Sequence, residues 1–153
     1  LVDNLILTSY PQFCRGGFFR KDAATKEVEG LLPRFHIIAP HVHAFARQLS
    51  GGNLQKLILA RELSKGPKLL IAEQPTHGLD IGATEEVWAE LLKQIKTAGI
   101  LLISGDLKEV LSLSDRIGVI FRGRVMDIFS TEDEDWIEEI GPLMAGVRRE
   151  QKR

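Results

Sequence analysis

Leu49-Ser50-Gly51-Gly52-Asn53-Leu54-Gln55-Lys56 decides how the chain is read. Serine is a favoured helix N-cap, because its hydroxyl accepts a hydrogen bond from an N–H of the first turn. Gly51 and Gly52 carry no Cβ, so a ligand can come close to their backbone. Free N–H groups and the helix dipole then favour an anion at that end. By itself the stretch fits a phosphate site and a plain helix cap equally well, and Ser-Gly-Gly occurs in many loops. The order of elements around it has to decide.

Downstream the pattern is regular. Leu54, Leu57, Ile58 and Arg61 predict a helix over 53–64. After Gly66-Pro67, the continuous apolar run Leu69-Leu70-Ile71-Ala72 predicts a buried parallel strand. Val87, Trp88, Leu91, Leu92 and Ile95 share one side of a helix over 84–97, and Ile100-Leu101-Leu102-Ile103 is a second buried strand. Asp106 with Glu109 forms a capping box for a helix through Leu113. Ile117–Phe121 and Arg124–Ile128 flank Arg122-Gly123 as a tight hairpin. Thr131 and Glu134 form another capping box ahead of Trp136, Ile137 and Ile140. Strand, helix, strand, helix with buried strands predicts an α/β sheet with helices on its faces.

Upstream the chain is less ordered. Ala24, Val28, Leu31, Leu32 and Phe35 make a helical stripe over 22–35, which Gly30 and Pro33 are expected to interrupt or end early. Residues 11–17 read as a loop. Ile38–Gln48, with Pro40, His41 and His43, has no clean period.

Composition narrows the class. The 153 residues are 44% apolar, enough for a packed core, and 20 basic against 21 acidic side chains leave a net charge of −1. That balance gives no support for nucleic acid as a partner. The single cysteine, Cys14, cannot form an internal disulfide, which points to a reducing compartment. No apolar stretch approaches the roughly 18 residues of a membrane span. The opening Leu1-Val2-Asp3-Asn4 lacks an initiator methionine and any basic-then-apolar secretion signal, so the expectation is a cytoplasmic chain cut from something longer.

Spacing carries the identification. Leu49–Lys56 is followed by the Leu69–Ala72 strand, then by Glu73-Gln74-Pro75-Thr76-His77-Gly78-Leu79-Asp80, and later by a strand ending in Ser104-Gly105-Asp106. The series resembles the ATP-binding cassette (ABC) family of ATPases from just beyond the Q-loop to the C-terminus: signature, Walker B strand, D-loop and switch strand, in order. Asn53-Leu54-Gln55-Lys56 looks most like importers of simple sugars and nucleosides, whose ATPase subunit carries two cassettes in one chain. Ile140-Gly141-Pro142-Leu143-Met144-Ala145-Gly146 resembles the end of the second cassette. The resemblance covers residues 49–146 well and 1–48 more loosely.

It implies a fold class: the C-terminal portion of a P-loop NTPase (RecA-like) cassette, mainly a parallel sheet flanked by helices. Residues 1–66 would be part of a helical subdomain ending in the signature helix, and 67–153 the α/β part. It also implies ATP and Mg²⁺ as cofactors. In the family each signature closes over ATP held by another cassette, so Ser50, Gly51 and Gly52, with Gln55 nearby, would serve a partner's site. Asp80 resembles the D-loop aspartate, which communicates across the same interface.

The chain's own site departs from the family. No Gly-x-x-x-x-Gly-Lys-Ser/Thr occurs, the loop that cradles the phosphates and completes the Mg²⁺ contacts. The register of Pro75-Thr76 and Gly78-Leu79-Asp80 places Glu73 at the Mg²⁺-orienting aspartate and Gln74 at the catalytic glutamate. A glutamine amide orients water but takes no proton at neutral pH, and loss of a general base costs about 10²–10⁴-fold in rate. The switch histidine falls at Gly105, which has no side chain to reach a phosphate. The isolated chain is therefore expected not to hydrolyse ATP by itself.

Other features read more plainly. His41 and His43 lie in a loop without carboxylate or cysteine partners, and His77 stands at a variable spot. Glu85-Glu86 and Glu132-Asp133-Glu134-Asp135 open helices, where acidic first turns suit the dipole. Trp88 and Trp136 fall on apolar stripes as core. Cys14 is a small filler or bystander. The Arg15–Lys21 cluster with Phe13, Phe18 and Phe19 fits a loop on the helical subdomain, with a permease contact as a second thought. The basic tail Arg148–Arg153 is a solvated terminus.

The leading expectation is a truncated second cassette of a sugar or nucleoside importer, peripheral to the cytoplasmic face of the membrane through its transmembrane permease subunits. Two rivals stand beside it: a non-transport ABC ATPase acting on DNA, ribosomes or another soluble partner, and a remnant acting only as an interaction module. Loss of preceding strands should also leave an exposed sheet edge and an uncovered apolar face.

Overall fold

Five residues at the amino end, Val2–Ile6, form helix α1, which buries Val2, Leu5 and Ile6. It packs against α2 (Lys21–Arg34) and α3 (Gly51–Leu63), and α2 answers with buried Ala24, Val28 and Leu31. Phe35, at the end of α2, is 2% exposed and is among the largest fully buried side chains. The computed structural model describes residues 1–132 and 137–147, and the chain divides into two units, Leu1–Ile103 and Ser104–Arg153. A division after residue 66 falls inside the first of these. The expectations for Asp133, Glu134, Asp135, Trp136 and the tail from Arg148 lie outside the described residues.

The expected break in α2 does not occur: the helix continues through Gly30 and Pro33 to Arg34. Pro33 sits in the last turn, so its missing N–H removes one late hydrogen bond rather than splitting the helix. The chain then leaves through Phe35 N to Leu31 O and Ile37 N to Leu32 O, with His36 at φ +51°. The loop read at 11–17 is also more ordered than expected. A 3-10 turn (Tyr10–Phe13) leads into a hairpin of β1 (Cys14–Arg15) and β2 (Phe18–Phe19). Gly16 and Gly17 both take positive φ, as a two-residue hairpin loop requires.

β3 (Leu69–Glu73) pairs in parallel with β4 (Gly99–Ile103), and α4 (Ile81–Gln94) connects them. Side chains alternate across a strand. Leu70 and Ala72 are buried, whereas Leu69 and Ile71 are each 62% exposed. Leu101 and Ile103, on the same face by register, are 51% and 45% exposed. The expectation of strands buried on both faces is corrected to burial on one, with the other face exposed. Within α4, Val87 and Leu91 are buried, Trp88 is half-buried, and Leu92 and Ile95 are exposed.

In the second unit, α5 (Leu107–Leu113) precedes an antiparallel hairpin of β5 (Arg116–Phe121) and β6 (Arg124–Ser130). Arg122 and Gly123, at φ +47° and +75°, close it as the Arg-Gly loop predicts. A bulge follows Val119, where pairing passes from Val119–Asp127 to Ile120–Val125. Ile117 and Val119 pack against Ile140 and Leu143 of α6 (Ile137–Met144), forming this unit's core. Among the described residues, parallel pairing is confined to β3–β4.

Candidate functional site

Ser50 caps α3 as its sequence position predicts, in extended backbone at φ −65° and ψ 162°. Its Oγ accepts from the Asn53 backbone N–H at 3.4 Å and from Asn53 Nδ2 at 3.0 Å. Asn53 Oδ1 accepts from the Ile38 N–H at 2.8 Å, so one amide links the helix cap to the loop after α2. Ser50 and Gly51 are exposed, while Gly52, Asn53 and Gln55 are half-buried.

Asp80 caps the neighbouring helix α4, and its Oδ1 accepts from the Ala83 N–H at 2.8 Å. The two capped ends lie together. A Cβ built on Gly52 would fall 2.8 Å from Ala83 Cβ, closer than side chains tolerate. One on Gly51 would have only Leu79 Cδ2, at 4.0 Å. Gly51 therefore supplies the open approach expected of both glycines, and Gly52 also serves close packing of α3 on α4. Further along the same interface, Lys56 Nζ donates to Glu86 Oε2 at 2.6 Å and to the His36 carbonyl at 2.7 Å. The first-turn reading of Glu85-Glu86 is corrected: α4 begins at Ile81 and has no acid in its first turn, and Glu86, a turn further on, is instead the partner of Lys56, which is 6% exposed.

Glu73 ends β3 with an exposed side chain, and Gln74 follows at φ +48°, a left-handed conformation unusual outside glycine. The Gln74 N–H donates to Ile103 O at 2.8 Å, extending the β3–β4 ladder by one rung. Its carbonyl then accepts from the His77 N–H at 3.1 Å, and Gly78 takes φ +74° before Leu79. The Gln74 side chain is exposed, as is His77.

Gly105 belongs to the second unit, between Ser104, whose Oγ accepts from the Asp106 N–H at 3.0 Å, and α5. Asp106 caps α5 by accepting from the Lys108 and Glu109 N–H groups at 2.9 and 3.3 Å.

An exposed, capped N-terminus on a 13-residue helix, with Gly51 open beside it, fits an anionic group such as a phosphate. A divalent ion fits less well. Among the described residues no three His, Cys, Asp or Glu side chains gather as a metal site, and Glu73 ends β3 with an exposed carboxylate. Cys14 is exposed, its Sγ 3.6 Å from the Tyr10 carbonyl. Among the described residues no helix is long and apolar enough to cross a membrane.

Of the contributors to this site, Lys56, Glu86 and Ala83 have no clear signal in the sequence. Asn53 has one, since a side chain three residues into a helix can reach back to its cap.

No family model matches the chain. The guanosine import ATP-binding protein NupO of Bacillus subtilis (strain 168) is 42% identical over 148 residues, which is 94% of this chain and 29% of NupO. The ribose import ATP-binding protein RbsA of Clostridium perfringens (strain SM101 / Type A) is 41% identical over 129 residues, 83% of this chain and 25% of RbsA. The chain thus spans less than a third of the length of these relatives. Among solved structures, a dimeric bacterial ABC transporter cassette superposes with a TM-score of 0.68 at 23% identity, covering 85% of this chain and 56% of that one.

Proposed function

The chain belongs to the ATP-binding cassette family, and on that premise we propose that it is the signature-bearing portion of an importer's second cassette, serving an ATP site held by a partner cassette. In this reading residues 1–66 are part of the helical subdomain and 67–153 the α/β part. The subunit couples ATP binding and hydrolysis to uptake of a simple sugar or nucleoside. It works at the cytoplasmic face of the membrane, held there by transmembrane permease subunits. Relatives named for the import of guanosine and of ribose support the solute class. The dimeric state of the superposed cassette supports a paired partner.

The observation that carries the proposal is the Ser50-capped N-terminus of α3, exposed at Ser50 and Gly51 while its other flank is packed on α4. Bound MgATP supplies the phosphate charge that draws two cassettes together, and its hydrolysis lets them part. Ser50 offers its hydroxyl and Gly51 its open backbone to that charge, with Gly52 and Gln55 beside them. Asp80 caps the start of α4, whose first turn packs on the signature helix at Ala83, and in this reading belongs to the same interface.

The chain's own half is weak. Gln74 orients water through its amide but accepts no proton, and Gly105 supplies no imidazole. Glu73 is one methylene longer than the usual aspartate, and its carboxylate would serve the Mg²⁺ that accompanies ATP only indirectly.

The test is a titration of the purified chain with fluorescent ATP and Mg²⁺, followed by a phosphate-release assay. No binding up to millimolar nucleotide and no turnover is the expected result. Micromolar binding with turnover would mean that other residues form a complete site, and the proposal would fall.

A further inference from the structure

The hydrogen bonds around Asn53 decide what the Ser50 hydroxyl can do. The Ile38 backbone N–H is a donor only, so the Asn53 atom facing it at 2.8 Å must be the carbonyl Oδ1. That fixes the amide the other way round at its far side, where Nδ2 donates to Ser50 Oγ at 3.0 Å. The Asn53 backbone N–H donates to the same oxygen at 3.4 Å. A hydroxyl oxygen has two acceptor lone pairs and one proton. Both lone pairs are engaged by residue 53, and the proton is left to donate.

We infer that Asn53 is a positioning residue: its amide, oriented by the Ile38 N–H, sets the Ser50 hydroxyl as a donor toward a phosphate held by the partner cassette. This rests on the proposed role of Ser50 in a paired nucleotide site. Asn53 itself stays off the ligand. It is half-buried between the loop after α2 and the cap, with both ends of its amide engaged inside the chain. The loop it reads is itself fixed, because Lys56 donates to the His36 carbonyl at 2.7 Å. Hydroxyl polarity at the cap therefore follows from the backbone at residues 36–38.

Aspartate and alanine at residue 53 separate this role from a purely structural one. Aspartate keeps an acceptor for the Ile38 N–H but replaces the Nδ2 donor with an anionic oxygen. The Ser50 proton then turns inward to that oxygen and is lost to the ligand. Alanine removes both side-chain bonds, frees the hydroxyl to rotate, and still suits a helix. ATP turnover would be measured in the two-cassette ATPase containing this sequence, for Ser50→Ala, Asn53→Asp, Asn53→Ala and the double variant Ser50→Ala/Asn53→Asp, each with its thermal midpoint.

A hydrogen bond to a charged group corresponds to about 10- to 100-fold. Ser50→Ala and Asn53→Asp should each lose turnover on that scale, with the double variant no worse than Ser50→Ala. Asn53→Ala should lose less than Asn53→Asp. Asn53→Ala losing as much as Asn53→Asp or more, or Asn53→Asp keeping normal turnover while Ser50→Ala loses it, overturns the inference and leaves the paired-site reading standing. Normal turnover in Ser50→Ala overturns both.

Discussion

Lys56 reaches across from α3 to α4 and places its Nζ 2.6 Å from Glu86 Oε2, with only 7% of the lysine side chain exposed against 51% of the glutamate. The pair is lopsided, and so are its consequences. Removing the carboxylate leaves a desolvated ammonium with the His36 carbonyl for a partner; removing the ammonium leaves a glutamate that water can serve. Glu86→Ala should therefore destabilise more than Lys56→Met, by about 1–3 kcal/mol against about 1 kcal/mol or less. Urea denaturation of both variants tests the order, and equal losses would show that the lysine is better solvated than its burial indicates.

Gly52 is expected to be the less replaceable of the two glycines. A methyl at residue 52 meets Ala83 Cβ at 2.8 Å, whereas one at residue 51 meets Leu79 Cδ2 at an ordinary 4.0 Å. Overpacking of this kind costs about 1–3 kcal/mol. The thermal midpoint should fall clearly for Gly52→Ala and little for Gly51→Ala. Partial recovery of Gly52→Ala by Ala83→Gly would identify the contact responsible.

Gln74 stands at φ +48° without the freedom of glycine. A left-handed residue with a Cβ carries about 1–2 kcal/mol of strain, so Gln74→Gly should be neutral to stabilising, the gain trimmed by the entropy of glycine in the unfolded chain. Gln74→Val, branched at Cβ, should be destabilising. Urea midpoints of the two variants check this: Gln74→Gly should stay level or rise, Gln74→Val should fall, and equal losses in both would refute the strain at residue 74.

Glu62 on α3 gives a pH dependence. Burial pushes its carboxyl up, but hydrogen bonds from Lys65 and Arg61, at 2.6 and 2.7 Å, outweigh that and hold it below the ordinary value. A depressed carboxylate adds stability that is present above its unfolded value, about 4.3, and lost as pH falls through the folded one. Because Glu62 is partly solvated, the gain over Glu62→Gln should be under about 1 kcal/mol at neutral pH. Thermal midpoints of the two proteins should converge in acid, and a gap that widens there would refute the pairing.

The open face of the β3–β4 sheet should make the isolated chain adhesive. Leu69, Ile71, Leu101 and Ile103 lie on one side of two paired strands and are each about half or more exposed. The purified chain should bind a hydrophobic dye and self-associate on gel filtration. Ile71→Thr with Leu101→Thr should reduce both without lowering stability by more than about 1 kcal/mol, since those side chains already face solvent. Undiminished association in that variant would move the adhesive surface elsewhere.

The sequence made some features legible because their causes are local. Ser50 and Asp106 cap the helices they precede, Arg122-Gly123 turns the hairpin it sits in, and Leu69–Ala72 forms a parallel strand. Each depends on a few neighbouring residues. The exposure of Leu69 and Ile71 departs from the apolar run because it depends on what lies opposite, which no local pattern records. The continuity of α2 through Pro33 was misread because a proline's effect depends on how close the helix end lies. Gly16-Gly17 did carry a hairpin signal that a loop assignment passed over. At the candidate site the cap and its exposed glycine could be read directly, whereas the Gly52–Ala83 contact and the Lys56–Glu86 bridge join residues thirty or so positions apart.

Those two attachments have a mechanical meaning. A single contact between helices is a pivot, but α3 and α4 are joined once at their first turns and again one turn further along. Two attachments a turn apart oppose both swivel and slip, which would make the pair a lever with Ser50 at its tip. A displacement of α4 would then carry the signature with it.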